Sequence, residues 1–448
     1  MMKNKVNIIC TENIKIERLV YIIDFINNHP LKPSDTNFVL NDVQRTNLNI
    51  LYSKNKEGET AYFVPAQNYF FTGKPKSTFY ANQYIFGENS LYSVENSIKK
   101  KTAFYNNGEY GFDIFETIFF HISRYEELYC SEDQLDFHKR MKSSEQLLVK
   151  NKIHRIPVVD LLVYHFFKSL ELEVKKIRTT YSLSHDIDII RKYKSTFSSF
   201  KSVAKVLQMG SGLSGAYRIL KSIVKSGKNP QNDPYFTYDW LFVNNPEFVN
   251  KTVYFVAGGD RKYDLYDKDY FKELPEIIRK AKEKSYKIGY HPSYDAYNNK
   301  KLFKEEFDKL NKLSDSDIVD IRTHYLRLDL QKTFEIIEQY GFKTDSTLGF
   351  ADDIGFRCGT GFEYNPYNFA EERAWKFREI PLVFMDSSLK YNICKNQVKC
   401  FKQKAKQFFE NNQYGTHIMI NFHNSSFDYS LEFNKGLKEF YLQLISGL

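Results

Sequence analysis

The stretch Thr180-Tyr181-Ser182-Leu183-Ser184-His185-Asp186-Ile187-Asp188 decides the reading of this chain. It runs as a β-prone segment into two carboxylates one residue apart. In an extended strand, residues i and i+2 face the same side, so Asp186 and Asp188 address one centre. Two carboxylates held together resist joint ionisation unless a cation lies between them or one takes a proton. That suits a metal ligand beside a general base. Two aspartates capping a strand exit would give the same pattern, so the rest of the chain has to decide.

Outward from this stretch, strand and helix patterns alternate. Further strands are predicted at Thr252–Ala257, Lys287–His291, Ile318–Tyr325, Lys343–Leu348, Glu379–Met385 and Thr416–His423. Helical spacing of apolar residues fills Asp269–Lys284, Leu302–Leu313, Gln331–Tyr340 and Asn396–Asn411, and Leu431–Ile445 closes the chain. Repeated βα units predict a parallel sheet, open or closed into a barrel. The span from Ile189 to Phe248 is too long for one crossover and reads as a helical insertion, at about 190–248. Its Gly210–Gly215 run (GSGLSG) reads as a flexible turn: the strand and the Lys-Ser/Thr pair of a phosphate loop are both missing.

In parallel α/β folds the carboxyl ends of the strands point to one face, where sites are assembled. Asp186 and Asp188 end the first predicted strand, His291 the third and His423 the last, while Arg322 and Tyr325 lie late in the fourth. A neutral imidazole at His291, with the Asp295 carboxylate four residues on, could share a divalent ion with Asp188. Arg322 could hold a catalytic carboxylate ionised and oriented. His423 titrates near neutrality and could protonate a leaving amine or alcohol. Each of these residues, taken singly, would also serve as a structural hydrogen-bonding group.

The first 175 or so residues read as a separate α+β domain. Ile14–Ile26 and Val158–Leu172 have helical spacing, Asp113–Tyr129 reads as one buried or amphipathic helix, and Asn106-Asn107-Gly108 marks a turn between short strands. His121, inside an apolar helix, reads as a core histidine, and Arg124, Glu126 and Glu127 as local ion pairs or contacts to the second domain. Lys175–Arg178 makes a charged hinge.

Composition narrows the function classes. With 448 residues, 42% hydrophobic and 27% charged, the chain has ample core material for two or three domains. Aromatics at 17% are too numerous to line one pocket and mostly belong to cores. The net charge of +9 is dispersed, Lys99–Lys101 being the only tight basic run, so no nucleic-acid partner is expected. Five scattered cysteines without a CxxC pair argue against a disulfide framework and a thiolate zinc site. No segment approaches a membrane span and the start lacks a secretory apolar run, so a cytoplasmic protein is expected. The oligomeric state stays open.

With these residues in place, the chain from about residue 179 resembles the polysaccharide deacetylase superfamily (NodB homology, carbohydrate esterase family 4). YSLSHDID, YKIGYHPSYD, RTHY, TDSTLGF and MINFH stand in the order and approximate spacing of that family's five motifs. DIFETIFFHISRYEEL and DFHKRMKSSEQ resemble a bacterial branch that carries an extra N-terminal domain. The resemblance implies a distorted (β/α) barrel over 179–448, preceded by a smaller α+β domain over 1–175. It also implies hydrolysis of an N- or O-acetyl group on an amino-sugar polysaccharide or its precursor. By motif position, Asp186 would be the general base and His423 the general acid. Arg322 would orient the base, the Tyr325 N–H would hold the oxyanion and Asp345 would support the fourth motif. Asp188, His291 and Asp295 would hold one divalent ion, zinc first, with cobalt, manganese, nickel or magnesium as alternatives.

The sequence departs from the family at two places. Ile187 separates aspartates that are usually adjacent, and Asp295 stands where a histidine is usual. Both leave room for a carbohydrate-binding relative that has lost turnover. A third reading takes Asp186-Ile187-Asp188 as the DxD of a nucleotide-sugar transferase, but it leaves His291 and His423 unemployed.

Overall fold

The computed structural model describes residues 4–42, 48–56, 58, 61–74, 76–86, 89–95, 97–98, 102–193, 212–243, 248–259, 262–264, 270–431 and 434–448. Lys99–Lys101 lies outside them, as do residues 194–211 of the expected insertion. The chain divides into two compact units. The first comprises Met1–Thr179, Gly355–Pro381 and Asn412–His417; the second comprises Thr180–Ile354, Leu382–Asn411 and Ile418–Leu448.

The first unit is built on a sheet in the order Thr36–Leu40, Asn4–Cys10, Leu48–Ser53, Tyr62–Pro65, Glu109–Tyr110, Tyr105–Asn106. The first four of these strands pair in parallel, and the last two form an antiparallel hairpin. The hairpin turns at the predicted place because Asn107 and Gly108 both take positive φ, 47° and 88°. A Cβ on Gly108 would stand 2.1 Å from the Ala61 carbonyl oxygen, so glycine is required there. A three-stranded sheet (Tyr80–Phe86, Asn89–Glu95, Thr102–Ala103) and the helices Ile16–Asn28 and Val158–Ser169 complete the frame.

The helix expected over Asp113–Tyr129 is two helices, Ile114–Ile122 and Tyr125–Leu128. Asp113 caps the first by accepting from the Glu116 N–H, and Arg124 at φ 57° breaks the run. Arg124 is held in that conformation by acceptors on every side: Glu127, Glu126, Gln146 and the Arg357 carbonyl. His121 is buried in the first helix, and burial pushes it down to about 3, as expected of a neutral core imidazole.

The second unit contains a curled parallel sheet. Seven of the eight strands of this sheet, numbered along the chain, are β1 (Thr180–Ile187), β2 (Phe248–Val256), β3 (Lys287–His291), β4 (Asp320–Ile321), β5 (Thr344–Asp345), β6 (Leu382–Met385) and β7 (His417–Asn421). They lie in the order β5-β4-β3-β2-β1-β7-β6. The ends of that order meet where the Leu382 N–H donates to the Leu348 carbonyl, beside a parallel bridge between Gly349 and Leu382. This closure is consistent with a distorted barrel. Amphipathic helices supply the crossovers, Tyr270–Glu283, Lys300–Ser314, Lys332–Gln339 and Val398–Asn411, and the helix Leu437–Gly447 follows the last strand. Both faces of the strands are covered, so Leu183, Ile187, Val253, Phe255, Ile288, Ile321, Phe384 and Ile420 are buried.

Three local readings change. The fourth strand, expected through Tyr325, stops at Ile321 because Tyr325 and Leu326 take φ of 60° and 53° in a tight turn. The flexible turn expected at Gly210–Gly215 is helical from Gly212, in the helix Gly212–Lys228. Cys394 and Cys400 form a disulfide with Cα atoms 5.5 Å apart, leaving Cys10, Cys130 and Cys358 free. Among the described residues no helix is long and apolar enough to cross a membrane.

Candidate metal and acid–base site

Strand periodicity sets the first part of the site. In β1, His185 points into an aromatic pocket of Phe242, Tyr286 and Tyr441, where its Nδ1–H donates to the Phe422 carbonyl. Burial lowers it to about 4. Asp186 and Asp188 belong to the opposite side, as the i, i+2 rule requires.

Asp186 is buried and saturated with donors. Arg322 Nη1 donates to its Oδ1 at 2.8 Å, and Asn421 Nδ2 to its Oδ2 at 2.9 Å. Arg322 is fully buried and is itself fixed by Ser184, Asn421 and Ser346, with its guanidinium 4.4 Å over the Tyr254 ring. Gly289 opposite Tyr254 makes room for that ring, because a Cβ there would come within 2.4 Å of it. Burial alone would raise the Asp186 carboxyl. The Arg322 guanidinium, followed by His291 and His423, overrides it and holds the carboxyl below the usual range.

Asp188 is placed differently. Its Oδ1 is buried and accepts no hydrogen bond. Two imidazoles face it instead: His291 Nε2 lies 3.4 Å from Oδ1 and His324 Nε2 lies 3.6 Å from Oδ2. His291 Nδ1 is 2.5 Å from the Arg322 carbonyl and His324 Nδ1 is 2.9 Å from Asp264 Oδ1. A carbonyl and a carboxylate can only accept, so each Nδ1 carries the proton and each Nε2 is left as a potential ligand. Ligands bonded at about 2.0–2.2 Å to a tetrahedral ion stand roughly 3.3–3.6 Å apart. The two separations, each to a different oxygen of Asp188, lie in that range, and one donor atom from each of Asp188, His291 and His324 falls within 4.8 Å of the others. The donor set therefore fits one divalent metal. Without an ion, burial opposes charge here, but Asp188 and Asp264 push His324 up to about 9, and His324 and His291 hold Asp188 well below the usual range.

The geometry brings His324 to this group and leaves Asp295 out of it. Asp295 lies beyond the turn at Pro292 with its side chain 65% exposed, and its Oδ1 meets Arg327 Nη1 at 3.2 Å. Arg327 is anchored over Tyr294 and Tyr297, which fixes the carboxylate on the rim. His324 lies within RTHY between Arg322 and Tyr325, the residues of that motif to which the sequence reading gives roles.

On the other side of Asp186, His423 Nε2 lies 3.8 Å from Asp186 Oδ2. Its Nδ1 meets Asp386 Oδ1 at 2.6 Å, and its own N–H donates to Asp386 Oδ2 at 2.9 Å. Against the effect of burial, Asp386 first, then Asp188 and Asp186, push His423 up to about 10. Asp386, immediately after β6, is therefore the carboxylate that holds and charges His423. Asp345 is buried two residues from Thr347, whose hydroxyl donates to its Oδ1 at 2.6 Å. Tyr325 sits at the positive-φ turn after β4, its ring against Tyr263 and Tyr294.

Comparison with known proteins adds the following. A family described as of unknown function (DUF7033) matches residues 7–175. No curated protein matches the chain. Among solved structures, a "putative polysaccharide deacetylase" from Mycobacterium smegmatis is similar at 13% identity and a TM-score of 0.32, over 60% of this chain and 85% of that one. A mutant of BA3943, a CE4-family pseudoenzyme with restored enzymatic activity, is similar at 10% identity and a TM-score of 0.26, over 63% and 78%.

Proposed function

We propose that the second unit is a metal-dependent hydrolase that removes acetyl groups from a carbohydrate. The observation that carries this reading is one cluster holding three differently tuned stations. These are a metal-type donor group (Asp188, His291, His324), an ionised buried carboxylate (Asp186) and a protonated imidazole (His423). The order of the five sequence motifs supports the acetylated-sugar substrate.

Asp188, His291 and His324 would hold a divalent ion, which would supply polarisation of the acyl oxygen and acidification of a water. Asp186, kept ionised by Arg322 and Asn421, takes the proton from the attacking water. The Tyr325 N–H supports the developing oxyanion. His423, kept protonated by Asp386, gives its proton to the departing amine or alcohol. The acyl C–N or C–O bond breaks, and acetate and the free sugar group leave. Asp186 and His423 act on opposite protons of the same event, which explains why their environments push them in opposite directions.

The test is acetate release from acetylated amino-sugar oligomers, run with metal analysis. Chelation should silence the protein and zinc, cobalt or manganese should restore it. Asp186→Asn should abolish release with metal content unchanged. Glycan binding without acetate release under every metal would instead establish a binding module.

A further inference from the structure

The helix Gly212–Lys228 presents its faces in reverse. Toward the second unit it buries Gly215, Ala216, Ile219, Ser222 and Ser226. The Ser226 hydroxyl is satisfied by the Ser222 and Asn232 carbonyls at 2.9 and 3.1 Å. Toward solvent it shows Tyr217, Leu220 and Val224, which are 65, 51 and 57% exposed. These three follow helical spacing and form one continuous stripe. An ordinary surface helix does the opposite, burying its large apolar residues and exposing its serines.

Beside the stripe the helix exposes Lys221, Lys225 and Lys228, and Arg218 adds a fourth basic residue. The sequence GLSGAYRILKSIVKSGK contains no Asp or Glu. An apolar stripe edged by cations on one helix is the pattern of a segment lying in a lipid interface. The charge selects the occupant. A second copy would bring four cations against four, whereas an anionic lipid surface complements both the lysines and the stripe.

We propose that the helix Gly212–Lys228 docks on an anionic membrane surface, with Tyr217, Leu220 and Val224 entering the interface and the lysines meeting lipid headgroups. It lies on the bilayer and does not cross it. Ser222 Oγ is 3.5 Å from the Tyr429 hydroxyl, in the segment that follows His423. The buried face of the helix is therefore seated against the segment that follows His423, which leaves the stripe on the opposite side facing outward.

The test is co-sedimentation of the full chain with vesicles. Binding to phosphatidylcholine–phosphatidylglycerol vesicles, absent with phosphatidylcholine alone and weakened by salt, is expected. Each lysine near such a surface contributes roughly a fivefold factor, so Lys221→Gln with Lys225→Gln should lower partitioning by about 25-fold. Leu220→Ser with Val224→Ser should abolish it, with circular dichroism and melting unchanged. Equal binding to neutral vesicles, no binding, or binding indifferent to these substitutions overturns the proposal. So does concentration-dependent dimerisation that Leu220→Ser with Val224→Ser abolishes, or capture by polyglutamate that survives it.

Discussion

Each unit buries a cluster of charges, and the two clusters are finished differently. In the first, Glu127 meets both Arg124 and Arg357, and Arg124 also reaches Glu126, Gln146 and a backbone carbonyl. Donors and acceptors are matched, so the cluster holds structure together. In the second, Asp188 Oδ1 accepts no hydrogen bond although buried, and two imidazole nitrogens face its carboxylate at 3.4 and 3.6 Å. Leaving a buried acceptor without a hydrogen bond normally costs about 1–3 kcal/mol. With two imidazole nitrogens beside it, this oxygen is one that a bound ion would satisfy. Of these two clusters, the incompletely matched one is where a ligand could complete the set, and the matched one holds structure.

The strongest way to break that contrast is to remove one donor from the incomplete cluster. His324→Ala should lose bound metal and acetate release together, by more than the roughly 10–100-fold typical of losing a partner outside the ligand set. Asp295→Asn should retain both. Metal analysis of the two purified variants decides the point: retention of metal by His324→Ala with loss in Asp295→Asn would restore the ligand set that motif position implies.

The matched cluster should respond in stability instead. Glu127→Gln leaves Arg124 and Arg357 short of a carboxylate and should cost about 3–5 kcal/mol in denaturant unfolding, with metal content unchanged. The pH dependence follows from the same pair of guanidinium groups. Against burial, Arg357 and Arg124 hold Glu127 down to about 2, below its ordinary 4.5. Its contribution is therefore fully present above about pH 4.5 and lost as pH falls toward 2, to the extent of roughly 3 kcal/mol. Unfolding at pH 7 and pH 3 should show a smaller acid loss in Glu127→Gln than in the unmodified protein. An equal loss would place the acid sensitivity elsewhere.

What the sequence revealed and what it hid follow from the range of the forces involved. Strand ends were legible because apolar runs and period-two alternation are local, so β3 is found at Lys287–His291 as read. The same local pattern put Asp186, Asp188, His291, Arg322 and His423 at or near strand ends, where the structure gathers them. The third donor was not legible. Spacing places Asp295 four residues from His291, but it cannot say that the chain turns the carboxylate outward to Arg327 after Pro292. Nor does propensity foretell two consecutive non-glycine residues at positive φ, Tyr325 and Leu326, behind His324. Asp386 follows the apolar strand β6, and Asp345 ends the short strand β5. Only the sheet order, with β6 beside β7, decides that Asp386 faces His423. The disulfide between Cys394 and Cys400 likewise depends on how the chain turns between Ser388–Ile393 and Val398–Asn411.

The smallest expected effect sharpens the role of Asp386. His423 stands at about 10 chiefly because the Asp386 carboxylate outweighs burial and stabilises the imidazolium at Nδ1. A raised value means that the acid form persists through neutral pH and disappears only as pH rises through that range. Asp386→Asn keeps the size of the side chain and removes its charge, so the alkaline limb of kcat/KM should move toward neutral pH. Activity near pH 7 should fall by about 10–100-fold, less than the roughly 10²–10⁴-fold expected when His423→Ala removes the acid itself. Metal content and the acid limb should stay as they are, because Asp386 touches neither the donor group nor Asp186 directly. Asp345→Asn, measured in parallel, should leave the alkaline limb in place. If Asp345→Asn moves the limb and Asp386→Asn does not, then His423 is not the group whose proton the reaction consumes.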